Sequence, residues 1–302
     1  MTQASTLSLG PPQNWRIGFI GAGRLGQALA WSLAQAGLKV VAVHSLVLAH
    51  ANNLAQPLQG CVSMSAQDVV DNCDVVFVTT PDSAIRDACD QLQWRIGQAS
   101  VHCSGVTEVD ALAMALSHGA CIGGFHPMQT FGDPHAAVRS LAGCTITLEA
   151  QDPGLMEVLL ELTQRLGCLA NQLPAGMRGR YHAAAGYTSQ FINALFDQAV
   201  SLWQTWGATE EQALRALLPL AQGTLSSIER AGVARGMPGP VSRADLSSIE
   251  KHLYAISPMG KEMLHFYTTL CMRTVALAEK AGGIDEKQAT QFRDLLQSDA
   301  NR

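Results

Sequence analysis

The chain has 302 residues, 47% hydrophobic and 15% charged, with a net charge of -5; this is the composition of a folded protein long enough for two domains with separate cores, and it excludes disorder over most of the length. No run of Lys or Arg could neutralise several phosphates, so nucleic acid is not an expected partner. The first 175 residues hold 7 basic against 13 acidic side chains and the rest hold 13 against 12, which puts the basic groups late, where they suit either an anionic substrate or ordinary solvated helix faces.

In chain order, residues 1–14 (MTQASTLSLGPPQN) lack the positive start and continuous apolar core of a signal peptide and read as a flexible tail. From Arg16, apolar runs alternate with helical segments: RIGFI, a glycine turn and GQALAWSLAQAG, then KVVAV, DVVFVTT, ASVHCSG, CIGGFHP, GCTITLEA, a helix from Pro153, and LANQLP as a last strand near the sheet edge. Continuous apolar strands separated by helices predict a doubly wound α/β domain over residues 15–175, with a mainly parallel Rossmann-type sheet covered on both faces. Strand patterns then vanish. Residues 176–302 read as an all-α domain: a long helix from about Met177 with Ile192, Phe196, Ala199 and Trp203 on one face, then helices near 209–232, 244–256, 259–281 and 285–297. The uncharged stretch 111–132 is broken by histidines, Pro127 and glycines, so no membrane span is expected. The eight cysteines show neither CxxC nor zinc spacing and read as reduced thiols of a cytoplasmic protein with no metal site.

Chemistry concentrates at the strand ends. FIGAGRLG places Gly21, Gly23 and Gly26 in GxGxxG spacing between a strand and a helix, so the loop from Gly21 through Ala22, Gly23, Arg24 and Leu25 to Gly26 is expected to hold a dinucleotide pyrophosphate; a tight turn without a cofactor is the alternative. At the end of the second strand His44 and Ser45 stand where an Asp or Glu would bind a ribose diol, and Leu46 follows. NAD and NADP both remain open. Thr79, Thr80 and Pro81 end DVVFVTTP, suiting either a nicotinamide ribose or the start of a helix. Ser104 and Gly105 end HCSG at an edge suited to a substrate carbonyl or carboxylate, or to a plain turn. His126, in GGFHPMQTFGDP, could transfer a proton or simply brace its loop. His182 and Asn193 fall on the long helix with Tyr181, and Asn193 is a candidate substrate-binding residue. Arg243 could bind an anionic substrate, with Asp245 beside it as a binding group or a helix cap.

FIGAGRLGQAL, VVFVTTPDSAI, HCSG, GGFHPMQTF, RYHAAAGYTSQFINAL and GPVSRADLSSIEKHL together resemble a group of bacterial proteins in which a Rossmann-like domain precedes a helical domain of unknown function. That group is similar to the superfamily of 6-phosphogluconate dehydrogenase, pyrroline-5-carboxylate reductase and deazaflavin-dependent NADP reductase. The resemblance implies NAD or NADP binding, hydride transfer, an active region at Ser104, His126 and His182, and a homodimer formed through the helical domain. Two departures stand out. Leu46 replaces the arginine that many members carry after the strand-end serine, and residues 178–207 contain no lysine to match that of the hydroxyacid dehydrogenases. The expected function is an oxidoreductase exchanging hydride with a small, anionic carbonyl, imine or alcohol at an interdomain cleft; the alternative is a dinucleotide-binding sensor or assembly protein without turnover.

Overall fold

The computed structural model describes residues 6–300. The chain divides into two compact units, one ending at Thr188 and the other beginning at Ser189. The first unit therefore runs past the expected boundary at 175, because one further helix belongs to it.

The first unit is an eight-stranded sheet. Its strands are β1 (Arg16–Ile20), β2 (Lys39–His44), β3 (Val62–Ser63), β4 (Val75–Val78), β5 (Ala99–His102), β6 (Cys121–Pro127), β7 (Thr145–Ala150) and β8 (Leu169–Gln172). The spatial order is 3-2-1-4-5-6-7-8, parallel throughout except where β7 runs antiparallel to β6. Between them lie α1 (Arg24–Gln35), α2 (Leu48–Ala55), α3 (Ala66–Asn72), α4 (Ile85–Asp90), α5 (Ala113–Ser117), α6 (Pro134–Ser140) and α7 (Pro153–Arg165), with α8 (Arg178–Tyr187) closing the unit.

The apolar runs are continuous because both faces are covered. Ile17, Phe19, Val75, Phe77, Val101 and Phe125 form one core with α1 and α7, while Val76, Val78, Val69, Ile85 and Leu112 form the other. Phe77 stacks on Phe19 at 5.2 Å and meets Phe125 edge-on at 5.6 Å; burying each such ring contributes about 1.5–3 kcal/mol. Gly18 lets α3 lie close, since a Cβ there would sit 2.6 Å from Cys73 and Val69.

Reversal of the chain at β7 shapes the site. It brings the starts of β7 and β8 to the same edge as the carboxyl ends of β1, β4, β5 and β6, so both chain directions contribute residues there. The expectation of a flexible tail over 1–14 is corrected for its described part. Leu7 is buried in the first core, its N–H donates to Asp152 at 3.1 Å, and the Trp15 indole donates to the Gly10 carbonyl at 2.6 Å. Residues 1–5 lie outside the described residues.

The second unit is helical: α9 (Gln190–Gln204), α10 (Glu210–Arg235), α11 (Leu246–Ile256), α12 (Lys261–Ala281) and α13 (Glu286–Ala300). The expected long helix from Met177 is two helices, α8 and α9, separated at Thr188 and Ser189, where Ser189 has the non-helical φ of -127° and ψ of -91°. Thr209 and Gln212 form a reciprocal capping box on α10. Ile249, Leu253, Leu264, Val275, Phe292 and Leu296 make the core, whereas α9 buries no residue fully. Among the described residues no helix is long and apolar enough to cross a membrane.

Candidate functional site

The glycine loop is built as its spacing requires. Gly21 has φ of +104°, and a Cβ on it would lie 2.6 Å from the Thr79 backbone; only glycine meets both conditions. Gly26 packs against the Gly21 carbonyl and Thr79 in the same way, and the Thr79 hydroxyl donates to that carbonyl at 2.7 Å. Gly23 differs, because nothing lies within 4 Å of the position its Cβ would take. It is also the N-cap of α1 and supplies no side-chain cap, so the first N–H groups of that helix face open space, as an anion site requires.

Around this loop runs a groove of about 780 Å³, lined by Gly21–Leu25, His44–Val47, Thr79–Pro81, helix α4 and Phe131. The Thr80 hydroxyl in its wall is buried without a hydrogen-bond partner. An orphaned donor, an uncapped helix end and a side-chain-free approach at Gly23 all fit a phosphate-bearing dinucleotide. Arg24, the first residue of α1 and part of the groove lining, donates to the Gly132 carbonyl at 3.3 Å. His44 Nδ1 lies 3.1 Å from the Met64 carbonyl; it must donate there, so Nε2 keeps a lone pair when the ring is neutral. Leu46 is 98% exposed at the rim.

Further along the edge, at the ends of β5 and β6, lies the second part. Arg178, Tyr181 and His182 occupy positions i, i+3 and i+4 of α8 and so share one helix face. The Tyr181 hydroxyl is 2.7 Å from His126 Nδ1, and the His182 ring meets that of His126 edge-on at 6.1 Å. Gly105 makes the space between them: a Cβ on it would lie 2.5 Å from His182 and 2.9 Å from His126 Nε2. Burial first, then His182 and Arg178, lower the His126 pKa to about 4, so the ring is neutral at pH 7. Burial raises the Tyr181 pKa. A protonated phenol is the stronger donor of the pair, so it donates to Nδ1, and His126 presents an Nε2–H beside Gly105.

Arg178 fixes this geometry from beneath. Its guanidinium is fully buried, with Nε 2.6 Å from Glu149 and Nη1 donating to the Ser104 carbonyl at 2.7 Å. Gly124, paired in register with Glu149 on β7, leaves the room, because a Cβ there would fall 2.6 Å from the Arg178 Cζ. Burial pushes the Glu149 carboxyl up and the guanidinium opposes it; we assign the ionised pair, since arginine keeps its proton. His102, on β5 beside Gly124, is held down to about 3 by burial, then by Arg178 and His126.

The structure brings together Ser104, Gly105, His126 and His182, and separately the glycine loop with His44, Ser45, Thr79, Thr80 and Pro81. Ser104 is engaged within its own turn. Its hydroxyl accepts from the Val106 and Thr107 N–H groups and donates to the Thr107 hydroxyl at 2.9 Å, which makes it the brace of a turn. Asn193, Arg243 and Asp245 belong to the second unit. The Asn193 amide reaches its own helix start at Ser189, and Asp245 caps α11 through Ser248, so capping is the role the structure gives it. Tyr181, Arg178, Glu149 and Gly124 were absent from the expected site. The i, i+3, i+4 spacing on α8 and the lone carboxylate inside TITLEA were their signals.

Two family models match separate stretches of the chain. Residues 16–103 match the family model described as NADP oxidoreductase, coenzyme F420-dependent, and residues 144–274 match a domain of unknown function, DUF2520, which spans the boundary between the two units. No curated protein matches the chain. The structure is similar to a candidate NADP oxidoreductase from Bacteroides fragilis, with 21% identity and a TM-score of 0.66 over 97% of this chain and 100% of that one. It is also similar to a reductive aminase from Aspergillus terreus in complex with NADPH and ethyl levulinate (18%, TM-score 0.63, 93% and 98%). A pyrroline carboxylate reductase from Plasmodium falciparum with NADP bound shares 13% identity at a TM-score of 0.58, over 90% and 98%. Residues 16–103 are thus similar to the NADP oxidoreductase family model and residues 144–274 to the DUF2520 model, and the whole-chain likeness is one of fold.

Proposed function

We propose that this protein is an NAD(P)-dependent oxidoreductase acting on a small carbonyl, imine or alcohol at the carboxyl edge of the sheet. The nicotinamide cofactor, when bound, supplies or accepts hydride. The loop at Gly21–Gly26 and the end of α1 hold its phosphates, and Thr80 and Pro81, at the next strand end, orient its ribose. The observation that carries the reading is the 2.7 Å couple of Tyr181 and His126 beside the side-chain-free Gly105. In the reducing direction His126 Nε2–H donates to the substrate heteroatom as Nδ1 takes the Tyr181 phenol proton, and solvent returns a proton to the half-exposed Tyr181; oxidation runs the same path backwards. A neutral imidazole suits both directions, since it carries one donor and one acceptor. His182, exposed at the mouth, closes one side. Reductive aminase and pyrroline carboxylate reductase, among the structural neighbours, support a carbonyl or imine substrate.

The test is NADH and NADPH consumption against a panel of ketones, aldehydes and cyclic imines. Tyr181→Phe should lower kcat by about 10²-fold while leaving the cofactor Kd unchanged; equal turnover in the variant removes the proton relay. The second unit supports a homodimer. Leu195, Trp206, Leu220 and Leu225 on and after α9 and along α10 are 42%, 63%, 66% and 57% exposed, an apolar surface a second copy would cover. A monomeric mass in light scattering at micromolar concentration would overturn this.

A further inference from the structure

We propose that Cys144 and Cys168 are an oxidation site that closes into a reversible intrachain disulfide. Their sulfurs are 3.8 Å apart, and both side chains are half-buried, whereas Cys73, Cys89 and Cys103 are buried. The backbone holds the pair in register at the start of two parallel strands, since Thr145 pairs with Leu169. The Leu169 N–H donates to the Cys144 carbonyl at 2.9 Å, and the Gly143 N–H donates to the Gly167 carbonyl at 2.8 Å. Each cysteine thus follows a glycine of positive φ, +84° at Gly143 and +68° at Gly167, in adjoining turns. Neighbouring strands run about 4.7–4.9 Å apart, inside the Cα separation of roughly 4.4–6.8 Å that a disulfide spans. Rotation about the side-chain bonds brings the sulfurs to bonding distance without moving the strands.

With hydrogen peroxide as oxidant the balance is simple. One thiolate attacks a peroxide oxygen and becomes a sulfenic acid, releasing hydroxide. The second sulfur displaces the sulfenic oxygen as water, and the two thiols have then lost two protons and two electrons, which reduce peroxide to two waters. Burial, followed by the neighbouring Cys144, pushes the Cys168 pKa up to about 12, and burial also raises Cys144, opposed by its hydrogen bond with Cys168, so the thiolate fraction and with it the reaction increase as pH rises. The pair sits at the edge where β6 ends, near Tyr181, whose phenol pKa is raised by burial first and by Cys144 least. The oxidation state is therefore set beside the His126 couple, and the proposal stands whether or not that couple turns over a substrate.

Full-length protein is treated with hydrogen peroxide or diamide at pH 7 and pH 9, unfolded, and mapped by mass spectrometry. Two of the eight thiols should disappear, a single linked peptide pair should contain Cys144 and Cys168, and dithiothreitol should restore both. Cys144→Ser and Cys168→Ser should each abolish the linked pair, while Cys61→Ser leaves it. Oxidised protein should also unfold at a higher temperature, because the crosslink restrains the unfolded chain. Sulfinic acid at Cys144 without the link, a link between two copies, or thiol loss that persists in both variants overturns the proposal.

Discussion

Adding one methyl group at Gly124 tests whether the buried arginine organises the site. The Cβ of Gly124→Ala would lie 2.6 Å from the Arg178 Cζ and 3.2 Å from Nη1, and the guanidinium, fully buried, has no room to retreat without leaving Glu149 and the Ser104 carbonyl. Hydrogen bonds to charged groups contribute about 1.5–3 kcal/mol each, and breaking a buried ion pair costs about 3–5 kcal/mol. A loss of about 3–5 kcal/mol is therefore expected, a large share of the roughly 5–15 kcal/mol that holds a typical domain together. Urea unfolding followed by tryptophan fluorescence measures it. Gly132→Ala, where a Cβ meets nothing within 4 Å, is the control and should change stability by less than about 1 kcal/mol. Gly124→Ala combined with Arg178→Met and Glu149→Gln should recover part of the stability, because the charges that lost each other are gone. If Gly124→Ala alone unfolds within about 0.5 kcal/mol of wild type, the guanidinium is not packed against β6 and the account of Arg178 is wrong.

Other consequences are equally open to measurement. Gly23→Val should abolish NADH and NADPH binding in calorimetry with little loss of stability, since its side chain enters the space reserved for phosphate; unchanged affinity would remove the pyrophosphate from this loop. Leu46→Arg, at a 98% exposed rim position, should tighten NADP(H) by roughly ten-fold through a charge-assisted contact and barely alter NAD(H), and a wild type that already prefers NADP(H) strongly would show that another group holds the 2′-phosphate. The depressed pKa values of His126, about 4, and His102, about 3, lie below the unfolded value of roughly 6.5. The unfolded chain therefore binds more protons in that window: stability is full above it and falls as pH drops toward 4, by about 1.4 kcal/mol per pH unit for each histidine. His102→Gln should halve that slope in unfolding measured from pH 7 to 4.5, and a flat profile in wild type would mean that neither ring is held neutral.

The sequence by itself determined the Rossmann half because its signals are local. RIGFI followed by GAGRLG encodes a buried strand, a positive-φ turn and a helix start within a dozen positions, and hydrophobic periodicity places the later helices to within a few residues. The same locality explains what it could not decide. That α8 belongs with the sheet follows from Arg178 reaching Glu149 and Ser104, and that contact exists only once β7 has reversed beside β6. The break at Ser189 lies inside a stretch whose helical periodicity continues across it. Ser104 and His126 look alike as polar residues at strand ends, yet the Ser104 hydroxyl is enclosed in its own turn while His126 meets Tyr181 from 55 positions away. Whether a polar side chain braces the backbone or faces a ligand depends on partners brought in from distant strands, and that only the tertiary structure decided.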